Sequence, residues 1–115
     1  MVPTGTVFSM QRHSRHTYRV NDISISRKIA DTIVSAHGFE ISWPGNKCFA
    51  NRGRRLSRAH PLESLVLSFM DYGGGLCMIV EIDSRHELTD LVNDLFRALK
   101  AANQCRITTR LFRWP

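Results

Sequence analysis

Arg52, Arg54, Arg55 and Arg58 fall within seven residues that contain no acid. Each guanidinium is a planar fork of donors suited to phosphate or carboxylate oxygens, so this run points to an anionic partner. Nucleic acid and an acidic protein both qualify; the protein is favoured, because no aromatic side chains interleave the run. Arg12-His13-Ser14-Arg15-His16 holds two imidazoles at HxxH spacing. A metal needs further ligands on a fixed backbone, so no metal is expected; His16 could instead approach residue 26 if its segment folds back. Cys48, Cys77 and Cys105 form no CxxC pair and read as free thiols of a reducing cytoplasm. Gly73-Gly74-Gly75 precedes a strand pattern and lacks a following Lys-Ser/Thr, which makes it a turn rather than a phosphate cradle. Trp43 and Trp114 read as core or edge contacts. No nucleophile–base pair stands out, so no catalytic residue and no cofactor are assigned.

The chain has 115 residues and a net charge of +6, enough for a single domain with one core. The charge is uneven. Residues 1–60 carry ten Lys or Arg against three acids, and residues 61–115 carry six against seven. An excess of this kind implies an acidic protein, a phosphate group or nucleic acid as partner. The longest apolar run, Leu76–Val80, is far too short to span a bilayer, and no apolar stretch follows Arg12, Arg15 and Arg19 as in a secretory signal. A soluble, cytoplasmic protein without membrane contact is expected.

The elements that must position these groups follow from spacing. Residues 1–16 lack periodicity and read as a flexible basic arm, with a domain over 17–103 and a C-terminal strand or tail over 104–115. Thr17–Val20 suits a short strand. Ile29, Ala30, Ile33 and Val34 make one helical face over Ser26–His37, with Ser26 as N-cap and Gly38 in the left-handed terminal position. Phe39, Ile41 and Trp43 alternate with polar residues, Pro44-Gly45-Asn46 turns the chain, and Lys47–Asn51 returns. A basic loop spans Arg52–Ala59. Pro61 followed by Leu62, Leu65, Val66, Phe69 and Met70 predicts a short helix. Leu76–Ile82 reads as a central strand. Ser84 and Glu87 fit a capping box before the stripe Leu88, Leu91, Val92, Leu95, Phe96 and Leu99. The expected class is α+β, an open-faced β-sandwich of order β-α-β-β-α-β-α with the helices on one face of an antiparallel sheet.

That order, with Val20-Asn21-Asp22-Ile23-Ser24-Ile25-Ser26-Arg27-Lys28-Ile29-Ala30, resembles the HPr family of phosphocarrier proteins over about residues 17–101. The family pattern at this point is a strand end, Asn, an apolar residue, Gly, an apolar residue, His, a small residue, Arg, Pro and Ala. The resemblance implies an anion-favouring helix start. Here Ser26 takes the place of the phosphoryl-accepting histidine, Lys28 that of the arginine, Ile29 that of the proline and Ser24 that of the glycine. A serine ester is stable where a phosphoramidate is labile, and serine needs a base to become nucleophilic. The resemblance therefore implies a divergent member without the relay. It would be a regulatory or protein-binding module of phosphotransferase-system type, docking through Ser26, Arg27 and Lys28 and the helix over Leu62–Met70. Ser64 or Glu63 would take the place of the family's regulatory serine. The alternative is a small basic nucleic-acid-binding protein that uses the arm and the arginine loop.

Overall fold

The computed structural model describes residues 12–54, 56–85 and 88–105. In chain order they form β1 (Arg12–Arg19), α1 (Ile23–Ala36), β2 (Glu40–Ser42), β3 (Cys48–Arg52), β4 (Glu63–Tyr72), β5 (Gly75–Ser84) and α2 (Thr89–Ala101). The five strands make one antiparallel sheet of order β1-β5-β4-β3-β2. The class is α+β, with both helices against one sheet face.

Strand alternation explains the layering. Tyr18 of β1, Cys48 and Ala50 of β3, Leu65 and Leu67 of β4, and Met78, Val80 and Ile82 of β5 point to one face. There they join Ala30 and Val34 of α1 and Leu91, Leu95 and Leu99 of α2 in a single core. Among the described residues no helix lies on the other face.

The element order departs from the expected one at residues 62–70, which are strand, not helix. Glu63, Leu65 and Leu67 are buried at period two, and β4 pairs with β3 on one side and β5 on the other. The spacing that suggested a helix arises because Val66 and Met70 are apolar on the uncovered face. The order is thus β-α-β-β-β-β-α, and the HPr-type order is not what the chain adopts. Residues 12–16, expected to belong to a flexible arm, are strand instead. Residues from Arg12 onward pair with β5, from Arg12 opposite Ser84 to Arg19 opposite Cys77. Residues 1–11 and 106–115, with most of the expected tail, lie outside the described residues.

Two caps differ from expectation. α1 starts at Ile23 because Asp22 is the N-cap, its carboxylate accepting from the Ile25 amide at 2.9 Å, so Ser26 lies within the first turns. Ser84 is the buried last residue of β5. α2 instead begins after Leu88, which holds a left-handed φ of 52° and gives no side-chain cap; Glu87 lies outside the described residues. Gly38 does take the left-handed position after α1, with φ +88°. Among the described residues no helix is long and apolar enough to cross a membrane.

Candidate functional site

The start of α1 is closed. Ser26 is fully buried, and its hydroxyl donates to Gln104 Oε1 at 3.3 Å. The same amide oxygen accepts from the backbone N–H of Asp22 at 2.8 Å and of Asn21 at 3.3 Å. Asn21 Nδ2 donates to the Asn103 carbonyl at 2.6 Å, and the Gln104 amide donates to the Leu99 carbonyl at 2.7 Å. The turn after α2 therefore plugs the helix mouth with a neutral acceptor, and Asp22 adds a carboxylate. An anion would meet a filled and partly negative site there. His16 lies on β1 opposite Val80. His13 and His16, three apart on a strand, point to opposite faces, so the HxxH spacing builds no joint site.

Arg27 and Lys28 part company. Arg27 stacks over the Trp43 ring at 4.7 Å and donates to Asn46 Oδ1 at 3.3 Å, while Trp43 Nε1 donates to Asp31 Oδ1 at 3.0 Å. These contacts fasten the β2–β3 turn to α1. Lys28 is exposed, one turn from the exposed Thr32, whose hydroxyl donates to the Lys28 carbonyl.

At the far end of α1 the buried carboxylate of Glu63 accepts from Arg52 Nε at 2.6 Å and from the buried Ser84 hydroxyl. Arg52 also donates to the His37 carbonyl at 2.5 Å and lies over the Phe39 ring at 4.5 Å. The His37 ring bonds Asp94 at 2.8 Å, and Asp94 in turn accepts from Arg97 at 2.6 Å. The Arg97 hydrogen bond, then that of His37, holds the Asp94 carboxyl below the usual carboxylate range. This chain locks β3, β4, β5, α1 and α2 together. Glu63 is structural, and Ser64 lies partly buried on the opposite face of β4.

With Arg52 engaged, Arg54 and Arg58 lie on a loop with a built neck. Gly53 has φ +86°, and a Cβ there would come within 2.2 Å of the Pro61 carbonyl oxygen, so only glycine lets the two ends of the loop close. Arg54 pairs with Pro61 as an isolated parallel bridge, and its amide donates to the His60 carbonyl at 2.8 Å. The Ser57 amide donates to the Arg54 carbonyl at 3.2 Å, and the Ser57 hydroxyl accepts from the His60 amide at 2.9 Å. Arg54, Arg58 and His60 are exposed, and Leu56 is 95% exposed; Arg55 lies outside the described residues. β1 begins at this same end of the sheet, so Arg12 and the loop, far apart in sequence, are brought to one end of the molecule.

The uncovered sheet face has its own pattern. His13 bonds Asp83 at 3.0 Å and lies 3.6 Å from Glu81. The Asp83 hydrogen bond is the main cause that raises the imidazole above its ordinary value. Opposite charges are neighbours on this face, Arg15 lying directly across from Glu81. Arg15 reaches across β5 to donate to the Tyr72 hydroxyl at 3.1 Å, and Arg19 lies over Gly75, where a Cβ would meet its guanidinium at 1.6 Å. Lys47 leans over the Phe49 ring at 5.4 Å. Between the two charged ends run Phe49, Val66, Ile79, Cys77 and Met70. Cys77 and Ile79 are buried on this face, whereas Phe49, Met70 and Tyr72 are each over 40% exposed. From sequence, this face was hidden by the helical assignment of residues 62–70.

Among the described residues no group of three or more His, Cys, Asp or Glu side chains is arranged to hold a metal ion. No protein-family model and no curated protein sequence matches the chain, so what it does is inferred from its residues and their geometry.

Proposed function

We propose that this chain is a small nucleic-acid-binding protein that holds the phosphate backbone through the 53–61 loop. The observation that carries this is the loop neck. Gly53, the Arg54–Pro61 bridge and the Ser57 hydrogen bonds preform a loop whose exposed cations need little further ordering on binding. A net charge of +6 adds long-range attraction for a polyanion.

Docking of a phosphotransferase-type protein at Ser26–Lys28 has less support. Ser26 is enclosed by Gln104, Arg27 is committed to Trp43 and Asn46, and residues 62–70 supply a strand in place of a docking helix. The loop is the better-placed basic surface.

Fluorescence anisotropy with a labelled short duplex and a labelled single strand, across a salt series, tests the proposal. With Arg54, Arg55 and Arg58 on phosphates, log K falls against log salt with a slope of about −2 to −3. Arg54→Ala and Arg58→Ala each reduce that slope by about 1 and weaken binding to all sequences alike. No binding at the lowest salt, or a slope that neither substitution changes, refutes it.

A further inference from the structure

We propose that Leu56, on the 53–61 loop, inserts between two base pairs of a duplex from the minor-groove side and kinks it. The inference rests on the nucleic-acid reading above and specifies how that same loop meets its ligand. Leu56 is 95% exposed, whereas the other exposed large apolar side chains among the described residues, Ile25, Phe49, Met70 and Tyr72, are each 43–45% exposed. It belongs neither to the core nor to the partly buried residues packed against the core. The loop holds it there. The Ser57 amide donates to the Arg54 carbonyl at 3.2 Å, so residues 54–57 close a turn with Leu56 in its third position. The Ser57 hydroxyl accepts from the His60 amide, and Gly53 with the Arg54–Pro61 bridge fixes the neck. A braced turn therefore presents the leucine to solvent, and its apolar surface leaves water only against a partner.

The surroundings select the partner. Arg54 and Arg58 flank Leu56 in the chain and are exposed, and no acid lies between Glu40 and Glu63. Glu63 itself is turned inward against Arg52 and Ser84. An apolar tip between cations is complementary to a base step between phosphates, the arrangement by which aliphatic wedges enter the minor groove. A single strand is served instead by aromatic platforms, and residues 53–61 contain no Phe, Tyr or Trp. A lipid surface is disfavoured, because one leucine and two arginines make a single weak anchor where stable attachment takes two. Unstacking a step costs about as much as burying a leucine returns, so the wedge should change the shape of the duplex more than the affinity. Pyrimidine–purine steps, the easiest to kink, should be preferred.

A short duplex with a single TA step, its adenine replaced by 2-aminopurine, reads insertion directly, because the probe brightens when its neighbours unstack. At saturation the full chain should raise the emission about twofold or more. Leu56→Ala should leave the emission at the free-duplex value, while its affinity stays within about fivefold and its salt slope is unchanged. Leu56→Met should restore the rise. Because Leu56 packs against nothing in the core, circular dichroism should not distinguish these variants from the wild type. No binding at the lowest salt overturns the nucleic-acid reading and this inference with it. Binding with the expected slope but no rise, or a rise that Leu56→Ala keeps, overturns the insertion alone. So does the absence of a rise together with sedimentation on phosphatidylserine–phosphatidylcholine vesicles that Leu56→Ala abolishes, a result that would assign the tip to a membrane.

Discussion

Replacing Gln104 by alanine removes the acceptor that closes the start of α1. The Asp22 amide at 2.8 Å, the Asn21 amide at 3.3 Å and the Ser26 hydroxyl at 3.3 Å all lose their partner at once. A buried donor left unsatisfied costs about 1–3 kcal/mol. Two circumstances reduce the sum. Asn21 and Asp22 are exposed, so water can reach their amides, and the Ser26 hydroxyl can turn back to the Asp22 carbonyl one turn earlier. The buried aliphatic part of the side chain adds roughly 1 kcal/mol. Together these give a loss of about 2–3 kcal/mol. With a urea m-value of about 1.5 kcal/mol/M, the midpoint should fall by roughly 1.3–2 M with m unchanged. Gln104→Glu keeps an acceptor beside the positive end of the helix and should recover part of the loss. A double cycle with Ser26→Ala should show coupling above about 0.5 kcal/mol. A Gln104→Ala midpoint within about 0.3 M of wild type, with no coupling to Ser26, would mean the plug is a bystander.

Gly53→Ala places a Cβ against the Pro61 carbonyl oxygen in a left-handed residue and should cost more than about 2 kcal/mol or open the loop neck. Gly38→Ala, at φ +88° with open space around it, should cost about 1 kcal/mol; equal losses in urea denaturation would contradict the contact. Burial pushes the Cys48 thiol up to about 11, so at pH 8 only about one thiol in a thousand is thiolate. Alkylation by iodoacetamide of Cys48 should accordingly wait for unfolding, as mass spectrometry would show. Because the folded-state pKa of His13 is raised above 6.5, its stabilising contact is fully present below that value and is lost as pH rises through the folded pKa. Its NMR titration midpoint should lie above 6.5 and drop in Asp83→Asn.

Much of the frame was legible locally. The Ile29–Val34 spacing, the Phe39–Trp43 alternation around a Pro-Gly-Asn turn and the Leu88–Leu99 stripe each name an element, because burial on one face leaves its period in the sequence. Residues 62–70 misled because β4 is apolar on both faces. Leu65 and Leu67 enter the core while Val66 and Met70 lie on the uncovered side, and the superposition of two period-two sets imitates a period of 3.6. Ser84 looked like a cap because β5 runs two residues past Ile82 to place its hydroxyl against Glu63. Ser26 misled as a cap because Asp22, four residues earlier, takes that role with its carboxylate on the Ile25 amide. The Gln104 plug had no local signal, since its partners lie 78 to 83 residues earlier in the chain. The loop arginines were found by composition, but that Arg52 would be withdrawn into an ion pair could not be read from its neighbours.

The pairing of β1 with β5 has a consequence for biogenesis. On the ribosome β1 emerges before its hydrogen-bonding partner β5, so it must wait while about 65 further residues are made. At about 5–20 residues per second that is an interval of several seconds. Over that interval β1 presents Arg12, His13, Arg15, His16 and Arg19, and charge along an unpaired strand is the kind of feature that opposes edge-to-edge association.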